Sequence, residues 1–72
     1  MNKEGLTQLT RLREKAGLTQ RQIGAALGVT DQTVSNWERG VKTMKLTIEQ
    51  TSSLCRLFNC TFEELEKELK RN

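Results

Sequence analysis

The chain has 72 residues, of which 35% are apolar and 29% charged, and its 12 Lys and Arg against 9 Asp and Glu give a net charge of +3. That length is expected to make one domain, residues 1–72, with a core small enough to depend on capping, close packing or dimerisation, and no room for a separate ligand-sensing domain. With no His, no apolar run of bilayer length and no signal-type apolar segment, the composition argues against a metal centre, His-based catalysis and a membrane span; a soluble, cytoplasmic protein is expected.

Apolar residues recur at helical spacing along the whole chain and nowhere alternate with period two, so the fold class expected is all-α, with five helices. The first, about 6–16, places Leu9, Leu12 and Ala16 on one face, and Gly17 follows as its stop. The second, about 20–27, opens with Thr19-x-x-Gln22, packs Ile23, Ala26 and Leu27, and closes at Gly28. Thr30 is an N-cap for the third, about 31–39, which turns Val34 and Trp37 inward and ends at Gly40. The 41–46 connection carries Lys42 and Lys45. Thr47-x-x-Gln50 opens the fourth, about 48–58, lined by Ile48, Leu54, Cys55 and Phe58, with Asn59 as its stop. Thr61-x-x-Glu64 opens the fifth, about 62–70, where Phe62 and Leu65 are expected in the core and Leu69 at an interface. The three Thr-x-x-Gln/Glu patterns are capping boxes, and glycine or asparagine supplies the left-handed residue that ends a helix.

Charge is unevenly placed. Residues 1–46 hold eight bases (Lys3, Arg11, Arg13, Lys15, Arg21, Arg39, Lys42, Lys45) and four acids (Glu4, Glu14, Asp31, Glu38), a net of +4, whereas residues 47–72 hold four bases and five acids, a net of −1. The basic half contains residues 18–40, two short helices joined by a glycine-containing turn. So short a link forces a large crossing angle rather than an antiparallel hairpin. Ile23, Leu27, Val29, Val34 and Trp37 fill the inside of that angle, which leaves Gln32, Thr33, Ser35, Asn36 and Arg39 for the outer surface of helix 3. Gln and Asn pair bidentately with adenine, Ser and Thr hydroxyls bond donors or acceptors, and Arg suits phosphate or guanine. A basic half that presents such a surface suits double-stranded DNA.

These residues carry a family resemblance. Arg13, Leu18-Thr19-Gln20, Ile23-Gly24-Ala25, Gly28-Val29-Thr30 and Val34-Ser35-Asn36-Trp37-Glu38-Arg39-Gly40 resemble the helix-turn-helix of the Cro and C1-type phage repressor family, and the likeness extends over nearly the whole chain. It implies a five-helix, lambda-repressor-like DNA-binding domain with the helix-turn-helix at helices 2 and 3. By position it implies that Asp31, Gln32 and Asn36 touch bases. It places Thr19, Gln20, Thr30, Arg39 and Lys42 at the DNA backbone, and the hydroxyls of Thr33 and Ser35 are expected there too. It also implies that Arg13 and Glu38 form an internal ion pair. Asp31 is acidic where many relatives carry Gln, Ser or Arg; it accepts from cytosine N4 or simply favours the positive end of helix 3. Gly24 stands where Ala is commonest, as a tight approach of helices 2 and 3 would require.

The expected function is a sequence-specific transcriptional regulator, a repressor that binds a palindromic operator as a homodimer, because one short recognition helix reads few base pairs. An antitoxin whose C-terminal helix docks a toxin is a second reading, and an interaction module without DNA binding a third. No enzyme activity, cofactor, metal, small-molecule ligand or membrane partner is expected. Cys55 and Cys60 read either as two small core residues or as a redox pair.

Overall fold

The computed structural model describes residues 4–70, with side chains from residue 8 onward. Among the described residues five helices follow one another: α1 (Glu4–Lys15), α2 (Gln20–Leu27), α3 (Asp31–Glu38), α4 (Ile48–Phe58) and α5 (Phe62–Lys70). All three capping boxes form. Thr19, Thr47 and Thr61 accept from the amides of Gln22, Gln50 and Glu64 at 3.1, 3.0 and 3.1 Å, and each of those side chains accepts in return from the threonine's own amide at 2.8, 2.9 and 2.8 Å. Thr30 caps α3 alone, through Thr33 N at 3.1 Å. Gly17, Gly28, Gly40 and Asn59 take left-handed φ values of 73°, 74°, 74° and 53°, so the chain reverses where the sequence marks it.

The core is one cluster of Ile23 and Leu27 from α2, Val34 from α3, Leu54 from α4 and Leu65 from α5, with Leu9 of α1 also buried. Leu12, Leu18, Val29, Trp37, Leu46, Phe58 and Leu69 pack around it. α2 and α3 cross at the centre; α1 lies against α3 and α5, and α4 against α2 and α5. Trp37 is therefore a half-buried packing residue.

Four apolar assignments are corrected. Ile48 and Phe62, expected in the core, are 88% and 58% exposed. Each is the first helical residue after a capping threonine, where the chain is still entering the packed layer from solvent. Ala16 is exposed because α1 has already ended at Lys15, so the residue has left the helical period. Ala26 is exposed because α2 buries a narrower stripe, Ile23, Gly24 and Leu27. Leu69, one helical turn beyond Leu65, is partly buried against the core.

Candidate nucleic-acid interface

The turn between α2 and α3 is Gly28, Val29 and Thr30. Gly28 closes α2 with its amide on the Gly24 carbonyl, and the Val29 amide returns to the same carbonyl at 2.9 Å. That double return folds the turn down onto α2. A Cβ built on Gly24 would stand 2.6 Å from the Val29 carbonyl oxygen and 3.1 Å from the Thr30 carbonyl carbon. Glycine is therefore needed at this position, because the neighbour is backbone and cannot rotate away. The close approach is to the turn, whereas the sequence suggests an approach of one helix to the other.

α3 then presents two faces. Val34 and Glu38 are buried, at 0% and 3% exposure, and fix the inward side. Gln32, Asn36 and Arg39 follow at helical spacing on the opposite side. Gln32 Nε2 donates to Asn36 Oδ1 at 3.2 Å, and Arg39 Nη2 donates to the same oxygen at 3.0 Å. The Asn36 carbonyl thus gathers three side chains into one polar edge and leaves its own amide N–H groups directed elsewhere. Gln32 and Arg39 are exposed and Asn36 half-buried. Asp31, exposed at the first position of α3, and half-buried Ser35 lie on one flank of this edge; half-buried Thr33 lies on the other. The Thr33 hydroxyl is within 3.0 Å of the Thr30 hydroxyl, so these two form one polar corner at the helix start.

Beneath this surface sits a closed network. Arg13 Nε donates to Glu38 Oε2 at 2.6 Å and Nη2 to Oε1 at 3.3 Å, while Nη1 reaches the Leu18 carbonyl at 2.9 Å. The ion pair implied by the resemblance is present, and it does more than pair charges: it ties the end of α1, the strap into α2 and the end of α3 together. Gln20 Nε2 joins it, donating to Glu38 Oε1 at 2.9 Å. A nearly buried carboxylate with three donors has most of its lone pairs occupied, which is what makes its burial tolerable. Sequence reasoning places Gln20 only at the DNA backbone; its bond to a residue 18 positions away depends on the crossing of α2 and α3, which no local signal encodes.

Thr19 and Gln20 stand at the start of α2, whose first turn carries no acidic residue. Its amides and dipole therefore meet no competing carboxylate from that turn. Lys42 is exposed beyond α3, with its amide and that of Val41 turned back onto the Asn36 backbone carbonyl at 3.2 and 2.9 Å.

A second residue escapes sequence reasoning. Gln50 serves the α4 capping box with its oxygen and, with Nε2, donates to the Leu27 carbonyl at 2.9 Å. It thereby satisfies a terminal carbonyl of α2 and fixes α4 against the helix-turn-helix. Among the described residues no helix is long and apolar enough to cross a membrane, and no group of three or more His, Cys, Asp or Glu is placed to hold a metal ion.

Five helices with a three-residue turn between α2 and α3, a capped α3 and a polar outer edge define a helix-turn-helix protein. The family model described as Helix-turn-helix matches residues 9–65, from α1 into α5. The chain belongs to that family, in its Cro/C1-type branch, and is a DNA-binding transcriptional regulator whose partner is double-stranded DNA. No curated protein and no solved structure matches.

Proposed function

We propose that the whole chain serves as one DNA-binding domain that represses transcription in the cytoplasm, reading the major groove of a palindromic operator with α3 as a homodimer. The observation that carries this reading is the joined edge of Gln32, Asn36 and Arg39, opposite a face of α3 held by Val34 and Glu38. Gln32 and Asn36 meet base edges, for which their amides supply both donors and acceptors. Asp31 flanks them, where a carboxylate accepts from cytosine N4 and also complements the start of the helix.

Backbone contacts surround that edge. The start of α2 supplies amides for a phosphate, with Thr19 beside it. Glu38 takes one N–H of the Gln20 amide nitrogen and so orients the other for the same phosphate. Thr30, Thr33 and Ser35 bring hydroxyls, and Arg39 and Lys42 bring cations, on the remaining sides. A two-fold pair doubles the base pairs read; exposed Val41, Ile48 and Phe62 supply apolar area available to such a contact.

Selection of binding sites from random duplexes tests the reading directly. The expected product is a palindrome bound by two chains, with affinity that falls linearly on a log–log plot against salt. Gln32→Ala and Asn36→Ala should each cost about 1–3 kcal/mol of discrimination between operator and mismatched duplex. Full discrimination in either variant reassigns the reading residues, and the absence of any salt slope removes DNA as the partner of this surface.

A further inference from the structure

Four of the five helices end with the same backbone device. The amide following the left-handed region bonds back to the carbonyl five residues earlier: Leu18 to Arg13 at 3.0 Å, Val29 to Gly24 at 2.9 Å, Val41 to Asn36 at 2.9 Å and Cys60 to Cys55 at 3.0 Å. This geometry brings the two side chains of each pair together, ordinarily as an apolar contact. In α1 the pair is Arg13 with Leu18, in α2 a glycine with Val29, in α3 Asn36 with Val41. Only α4 puts a thiol at both positions. The Cys55 and Cys60 thiols lie within hydrogen-bonding reach of each other, and both are half-buried against the core cluster. Cys60 also opens onto a cleft between α1 and α5, lined by Arg11, Lys15 and Lys67 together with Glu64 and Glu68.

We propose that Cys55 and Cys60 are a redox modification site, at which a reversible intrachain disulfide forms by exchange with a low-molecular-weight disulfide entering the α1–α5 cleft. Cys60 gives its proton to water and its thiolate attacks one sulfur of the small disulfide. A mixed disulfide forms, the small S–S bond breaks, and the departing thiolate takes up a proton. Cys55, already in contact, loses its proton to solvent and attacks the Cys60 sulfur. The mixed S–S bond breaks and the second small thiol leaves protonated. Two cysteine thiols are oxidised and one small disulfide is reduced to two thiols. An excess of small thiol reverses both steps.

Burial, then the neighbouring Cys55 and Glu64, push the Cys60 thiol above its ordinary pKa, so Cys60 rests protonated. The bond would join the end of α4 to the residue immediately before Thr61, the cap of α5, and so clip the corner between these helices. None of the proposed DNA-contacting residues takes part, and the inference stands whether or not α3 reads bases.

Incubation of the full chain with oxidised glutathione, followed by thiol blocking, intact-mass measurement and peptide mapping, tests the site. The expected product is a monomer lighter by two hydrogens, carrying no glutathione, with a Cys55–Cys60 linked peptide that dithiothreitol reverses. Cys55→Ser should stop at a stable glutathione adduct on Cys60. A persistent adduct on the unaltered protein, a disulfide-linked dimer, or thiols that react only in denaturant would each overturn the proposal, as would a Cys55→Ser protein that stays unmodified while folded.

Discussion

The two faces of α3 are built from the same kinds of groups and are held in opposite ways. On the outer face, Asn36 is bonded to Gln32 and Arg39, four and three positions away on the same turn of chain. On the inner face, Glu38 is bonded to Arg13 and Gln20, 25 and 18 positions away on two other helices. The local network orients side chains without holding any element in place. The long-range network positions three elements and leaves nothing to offer a ligand except the second N–H of Gln20. Reading and bracing are thereby separated on one helix of eight residues.

The largest expected effect breaks the brace. Arg13→Ala leaves the Glu38 carboxylate, 3% exposed, with Gln20 as its remaining donor; Glu38→Ala leaves a guanidinium at 14% exposure without its counter-charge and with the Leu18 carbonyl as its remaining acceptor. Either should cost about 3–5 kcal/mol of folding stability, the range for removing one partner of a buried pair. Urea unfolding beside Lys15→Ala, an exposed cation of the same helix end, isolates the effect, and equal midpoints would refute a bracing role. Replacing both partners by Met and Leu should recover much of the loss, because no uncompensated charge remains. Gln32→Ala, on the other face, should leave the midpoint where it is.

Next in size is the turn that joins the two helices. Gly24→Ala raises helix propensity by up to about 1 kcal/mol. Its Cβ, however, would lie 2.6 Å from a backbone carbonyl, and relieving that overlap moves Val29 and Thr30, hence the cap of α3. Overpacking of this kind costs about 1–3 kcal/mol, so the net should be destabilising and accompanied by weaker DNA binding. A melting temperature unchanged or raised in the variant would show that the turn yields freely.

The helices and their ends were legible in the sequence because each is specified within a few residues. The three Thr-x-x-Gln/Glu boxes and Thr30 set four starts, the glycines and Asn59 set four reversals, and the long interior stripe of Ile23, Leu27, Val34, Leu54 and Leu65 follows from period alone. First-turn burial was not legible, since Ile48 and Phe62 satisfy the helical period and yet precede the packed layer. At the candidate site, the outward set on α3 could be deduced from one helix's geometry, and the Arg13–Glu38 pair from family likeness. Gln20 on Glu38 and Gln50 on Leu27 could not, because each bond depends on how two helices cross.

The two Thr-x-x-Gln boxes give the finest test of local against long-range bonding, since their sequences are alike and their surroundings differ. Gln22 is exposed and serves the α2 start through its oxygen. Gln50 does the same for α4 while its nitrogen holds the Leu27 carbonyl. A carboxylate keeps the first task and cannot perform the second. Gln22→Glu should therefore be neutral or stabilising by a few tenths of a kcal/mol, since an acid in the first turn complements the helix dipole. Gln50→Glu gains the same term, but it sets an acceptor against an acceptor and leaves a part-buried carbonyl without its donor. That loss is about 1–3 kcal/mol, so the sign of the change should reverse between the two positions. Unfolding midpoints that shift alike in both variants would mean that the Gln50–Leu27 bond contributes nothing to holding α4 on the helix-turn-helix.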